Sequence, residues 1–270
     1  MKLAIRVWKQ TLEVFRKNPV LLLPFLIVGL FDGILLTLIF LAPQPPFSSL
    51  LAPPIRAFWG EQYLHYPLNF VLIPKLFNYT HIIITAVFGV LMTGLAIGML
   101  QEAKNGTQPK ILLNLFYAIK RYFAIFTIWL IMFILALVFY RAPYFFIQTS
   151  NKVAIQTIYY LAFFAVSLIQ VVFIYAIPAA LIERRGLISA IKRGLPFSRR
   201  YFLATLMLVM IPALFYIPIM IMKGKSLVLM NRFFPEIVLI ILTAGIVVTI
   251  LIDFLVTSST TILFLNQREA

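Results

Sequence analysis

Two carboxylates lie where charge is disfavoured. Asp32 and Asp253 each interrupt a long apolar stretch, and an ionised carboxylate in hydrocarbon costs from about 3 to above 10 kcal/mol, depending on the reference state. Such a group needs a partner, yet no Lys or Arg falls in the cores of the apolar stretches. Two chemistries stay open. One is a proton or cation relay that uses Asp32 and Asp253 in a central cavity. It requires both groups at equal depth, which holds only if the last helix continues through Ser258-Ser259-Thr260-Thr261 to Phe264. The other is a pair of hydrogen-bonded aspartates with a structural role.

A second group is basic. Arg184, Arg185, Lys192, Arg193, Arg199 and Arg200 fall within one short connection. They suit the phosphates of anionic lipid headgroups, worth roughly 1 kcal/mol per cation near the surface, or the acidic face of a protein partner. The same cations would equally serve to set the topology of the chain. Signatures of catalysis are missing: neither HExxH nor GxSxG occurs. Gly224-Lys225-Ser226 is like the end of a phosphate loop, but Ile219 stands where the first glycine is required. The chain has no cysteine, and His65 and His81 are its only histidines, too few for a convincing metal site. We therefore expect no enzyme activity, no metal and no cofactor.

The elements that must position these residues are membrane helices. Apolar residues make up 63% of the chain and charged ones 11%, outside the range of soluble domains. A spanning helix needs about 20 apolar residues, and six segments qualify: Val20–Leu41, Thr80–Leu100, Tyr122–Tyr140, Val153–Leu181, Tyr201–Met222 and Ile237–Thr257. The expected fold is all-α, a single integral membrane domain over residues 1–270 with six transmembrane helices. Short amphipathic helices should lie along the interface before spans one, three and five. Residues 1–18 form the first, with Leu3, Val7, Trp8, Leu12 and Phe15 as its apolar face, and Asn18-Pro19 ends it. Leu187, Ala190, Ile191 and Gly194 mark another beneath span five.

Ala4-Ile5-Arg6 recurs as Ala118-Ile119-Lys120-Arg121 and as Ala190-Ile191-Lys192-Arg193, while Arg-Tyr-Phe opens spans three and five. Three repeated helix-plus-hairpin units are one reading of this; interfacial composition alone is the other. Residues 42–78 read as an external aromatic loop whose prolines prevent regular structure at its start. Gly94 and Gly98 are a small-xxx-small pair for close helix packing, and Pro178, Pro212 and Pro218 are candidate kinks.

Charge sets the orientation. The 23 Lys and Arg greatly outnumber the eight Asp and Glu. Cations gather before span one, between spans two and three, between spans four and five, and at Arg268, which places both termini in the cytoplasm by the positive-inside rule. Reporter fusions at Asn105 and Gly186 should then report cytoplasm, and one at Thr149 the outside. This distribution accounts for the excess charge without nucleic acid.

The run Pro178-Ala179-Ala180-Leu181-Ile182-Glu183, followed by Gly186, Ala190-Ile191 and Arg193, joins an opening Ala4…Trp8…Phe15…Asn18-Pro19. Together they resemble a group of bacterial six-span proteins, the YciC-like inner-membrane proteins and the membrane domain attached to some glycerophosphodiester phosphodiesterases. The resemblance implies a bacterial cytoplasmic membrane and supplies no catalytic residues. No catalytic domain accompanies the matching region, so hydrolysis does not follow. The function expected is a non-enzymatic membrane module that organises partners or lipids, the lipids being anionic. The alternative is a transporter or transporter subunit built on Asp32 and Asp253.

Overall fold

The computed structural model describes residues 2–146 and 152–268, and all regular structure among the described residues is helical. The reporter position Thr149 lies outside the described residues. In chain order the helices are α1 (Lys2–Lys17), α2 (Leu23–Phe40), α3 (Ser48–Trp59), α4 (Leu68–Ile84), α5 (Val90–Lys104), α6 (Ile111–Lys120), α7 (Tyr122–Phe146), α8 (Lys152–Phe173), α9 (Ala176–Ile182), α10 (Leu187–Arg200), α11 (Phe202–Leu214), α12 (Ile217–Gly224), α13 (Ser226–Arg232) and α14 (Ile237–Arg268). Short 3₁₀ turns cover Pro19–Leu22 and Glu61–Leu64, and a π-helical segment, Thr85–Gly89, joins α4 to α5.

Five stretches are long and apolar enough to cross a membrane: Pro19–Phe40, Leu68–Lys104, Tyr122–Phe139, Leu161–Ile182 and Ile237–Arg268. A sixth exists if α10 and α11, bent by 91°, count as one. The protein is an all-α polytopic membrane protein. The fifth expected span, Tyr201–Met222, is not one helix. Pro218 has no N–H for the carbonyl of Leu214 and its ring crowds that oxygen, so α11 stops at Leu214 and Phe215-Tyr216 form a turn before α12. Pro178 acts likewise on Ile174, where α8 gives way to the turn before α9. Pro212, by contrast, stays inside α11.

Contacts divide the chain into two units. The first comprises Met1–Pro24, Val90–Pro212 and Phe254–Ala270, and it holds all three amphipathic helices, α1, α6 and α10. All but five of the Lys and Arg (Arg56, Lys75, Lys223, Lys225 and Arg232) belong to it. Its core is centred on Tyr175, whose ring packs against Phe197 at 4.6 Å and Phe264 at 6.2 Å. The Tyr175 hydroxyl meets Thr205 Oγ1 at 2.6 Å. At the break after α8, Ser198 Oγ donates to the carbonyl of Val171 at 2.6 Å, supplying a donor where the helix ladder is interrupted. Gly94 lets α5 approach Ala118 of α6 and Ile125 of α7, and Gly98 seats the Asn114 side chain. At Gly194 a methyl group would stand 2.7 Å from the backbone nitrogen of Ala176, so α10 docks on α9 only because this residue lacks a Cβ.

The expected apolar face of α1 is found in most of its residues: Val7 is buried, Leu3, Trp8 and Phe15 are half-buried, and Leu12 alone is exposed. Ala4 and Thr11 are buried with Val7, whereas Ile5 and Leu12 are 43% and 55% exposed. Small residues permit the closest approach to neighbouring helices, and lipid, not protein, is the natural surroundings for Ile5 and Leu12.

The second unit comprises Phe25–Gly89 and Ala213–Asp253. Its core packs Phe70, Ile73 and Phe77 of α4 with Leu36, Met230, Val238 and Leu242. Residues 42–78 are mostly helical instead of irregular: α3 runs through Pro53 and Pro54, and α4 starts at Leu68, well before the expected Thr80. The prolines are tolerated because the carbonyls they leave without helix donors belong to Ser49 and Leu50, which are both exposed. Ala52 and Ile55 anchor α3, with Ile55 packing beside Leu72.

Candidate functional site

Within the second unit, α2 carries Asp32, which is 2% exposed. Its Oδ1 lies 2.8 Å from Nδ1 of His81 on α4. With the carboxylate ionised, the imidazole Nδ1–H is the donor. On the far side of the ring, Nε2 is 3.5 Å from Thr85 Oγ1, the first residue of the π-helical segment. Phe77, one turn earlier on α4, stacks on His81 with centroids 5.8 Å apart. The other face of this cluster is cationic: Lys223 Nζ lies 5.8 Å from the Phe77 centroid and donates to the Tyr216 hydroxyl at 3.0 Å.

Asp253 retains exposed surface and lies within electrostatic range of both His81 and Asp32. The helix that bears it, α14, is continuous through Phe264, as the equal-depth condition demands. Ser258, Ser259, Thr260 and Thr261 are all buried; Thr260 Oγ1 donates back to Val256 O at 2.7 Å. An Asp–His pair of this geometry can hold one proton and pass it between Oδ1 and Nδ1, with Nε2 as the second port. Among the described residues, no three or more His, Asp or Glu side chains are grouped to hold a metal ion.

His81 is the residue of the candidate site that sequence reasoning missed. A search for Lys or Arg partners, with histidines weighed only as metal ligands, overlooks it. The available signal was its position in the apolar run that continues upstream from Thr80 to Leu68.

The basic residues of the first unit sort into two sets. Glu183, nearly buried, accepts from Arg185 Nε and, at 3.4 Å, from Arg193 Nε. Arg185 also reaches Ser189 Oγ at 3.3 Å. Arg184 has φ of 53°, an uncommon conformation for a side-chain-bearing residue. It is held there by Arg121, whose Nη2 donates to the Arg184 carbonyl at 3.0 Å, and its own guanidinium lies over the Tyr117 ring at 5.6 Å. Arg200 stacks over Tyr201 at 5.4 Å. Lys192 and Arg199 are exposed and have no ion-pair partner among the described residues. The helix α10 explains this sorting, since Ala190, Gly194, Phe197 and Ser198 face inward and the cations follow the opposite stripe.

No known protein family, curated protein or solved structure matches the chain.

Proposed function

We propose that this protein is a non-enzymatic membrane module of a bacterial cytoplasmic membrane, both termini cytoplasmic, that gathers anionic lipid and, through it, partner proteins. The observation that supports this reading is the outward face of α10. Lys192, Arg199 and Arg200 stand beside exposed Ile188 and Leu195. Apolar side chains at that position enter the acyl boundary while the cations meet headgroup phosphates.

The test is native mass spectrometry of the full chain released from nanodiscs of mixed phosphatidylglycerol and phosphatidylcholine. The triple variant Lys192→Gln, Arg199→Gln, Arg200→Gln should lose anionic-lipid enrichment by about fivefold per charge removed, corresponding to roughly 1 kcal/mol each. Undiminished enrichment in a folded triple variant would sink the reading.

The Asp32–His81 pair favours a second reading, a transporter or transporter subunit that moves protons or cations past Asp32 and Asp253. Proteoliposomes loaded with a pH-sensitive dye would decide it. Proton flux that disappears in Asp32→Asn supports transport, and absence of flux in the unaltered protein excludes a self-sufficient proton carrier.

A further inference from the structure

A cavity of about 340 Å³ opens in the first unit between the ends of α5, α6 and α9. Gly94, Gly98 and Ala118, where the helices pack closely, form its floor. One wall is acidic: Glu102 Oε2 accepts from the backbone N–H of Lys110 at 2.7 Å and from Asn114 Nδ2 at 2.7 Å. Asn114 is buried, so the carboxylate is held in place. The opposing groups are cationic. Arg121 spends two of its five N–H donors on the carbonyls of Arg184 and Arg185, and Arg184 is poised over Tyr117 by its unusual backbone. Leu181 and Ile182 complete the lining with apolar surface.

A simple cation would meet repulsion from Lys120, Arg121 and Arg184, and a simple anion would leave the Glu102 carboxylate without a cationic partner. A ligand that carries both charges satisfies each wall. The volume, at the small end of ligand cavities, fits a polar headgroup and not a whole lipid. Beside the cavity α6 exposes Leu112 (82%), Phe116 (63%) and Ile119 (54%), a surface on which acyl chains could lie.

We infer that this cavity binds a phosphate ester bearing a primary ammonium, with the phosphate on Arg121 and Arg184 and the ammonium on Glu102. The inference rests on the lipid-gathering reading but not on the α10 face. Phosphatidylethanolamine supplies this chemistry from the bilayer, and free O-phosphoethanolamine supplies it from the cytosol.

The experiment uses the full chain in nanodiscs of equimolar phosphatidylethanolamine, phosphatidylglycerol and phosphatidylcholine, with retained lipid counted by native mass spectrometry. One phosphatidylethanolamine should be kept about tenfold over either of the others, the factor of one charge-assisted contact. Glu102→Gln leaves an oxygen to accept from Lys110 and Asn114, so the fold is kept while the charge is lost, and the preference should fall below about twofold. Arg184→Gln should lower retention of all three lipids. Displacement of the lipid by O-phosphoethanolamine at equal concentration would assign the site to the soluble ester; resistance to it assigns the site to the lipid. Equal retention of the three lipids by the unaltered protein overturns the proposal, as does a preference that survives Glu102→Gln. Because the α10 triple variant should keep its ethanolamine preference, failure of the cavity and failure of the anionic face are read separately.

Discussion

A carboxylate buried inside apolar helices is stable only while something answers its charge, and His81 does so for Asp32. Truncating either partner strands the other, whereas removing both removes the problem. A double-mutant cycle with Asp32→Ala and His81→Ala should therefore show a coupling of about 1–3 kcal/mol, read from chemical unfolding in micelles. Additive effects would mean that the 2.8 Å contact contributes nothing. Asp32 and Asp253 were legible in the sequence because a charge in an apolar run stands out at once. His81 was not, since it stands at the edge of its expected span and its partner is 49 residues away. Arg184 was legible as a charge but not as a positioned one: its conformation depends on Arg121, from another part of the chain.

At the scale of elements, close approach is set by what side chains leave out. Gly194→Ala would push a methyl into the backbone of Ala176, where nothing flexible can give way. It should destabilise the docking of α10 by about 1–3 kcal/mol. Gly186→Ala, eight positions earlier at the N-cap of α10 with nothing within 4 Å, should cost only the N-cap preference for glycine over alanine, under about 1 kcal/mol. Thermal midpoints of the two variants in detergent check the contrast, and equal shifts would contradict the packing described. Hydropathy revealed the long helices, and the proline positions foretold the interruptions after α8 and α11. The inward side of α1 was legible through Val7 and Phe15, but the burial of Ala4 and Thr11 was not, because small or polar residues carry little hydropathy signal. The helical course of residues 42–78 was hidden as well, since the proline rule concerns buried carbonyls and those of Ser49 and Leu50 are exposed.

For the whole molecule, the concentration of cations in the first unit is a statement about orientation. Fusions of a compartment reporter at Asn105 and Gly186 should report cytoplasm and one at Gly60 the exterior; the inverse pattern would overturn the charge argument. The same unit contains a contact with a temporal meaning. Asn266 Nδ2 donates to Gln10 Oε1 at 2.7 Å across 256 residues of chain, and Phe15 meets Phe254 at 4.9 Å. Ribosomes extend a chain at about 5–20 residues per second. Helix α1 must therefore wait on the order of ten to fifty seconds for its partner in α14 to be made. Through that interval the outward Ile5 and Leu12, with no role in the finished core, offer the nascent helix an apolar side that the bilayer surface can hold.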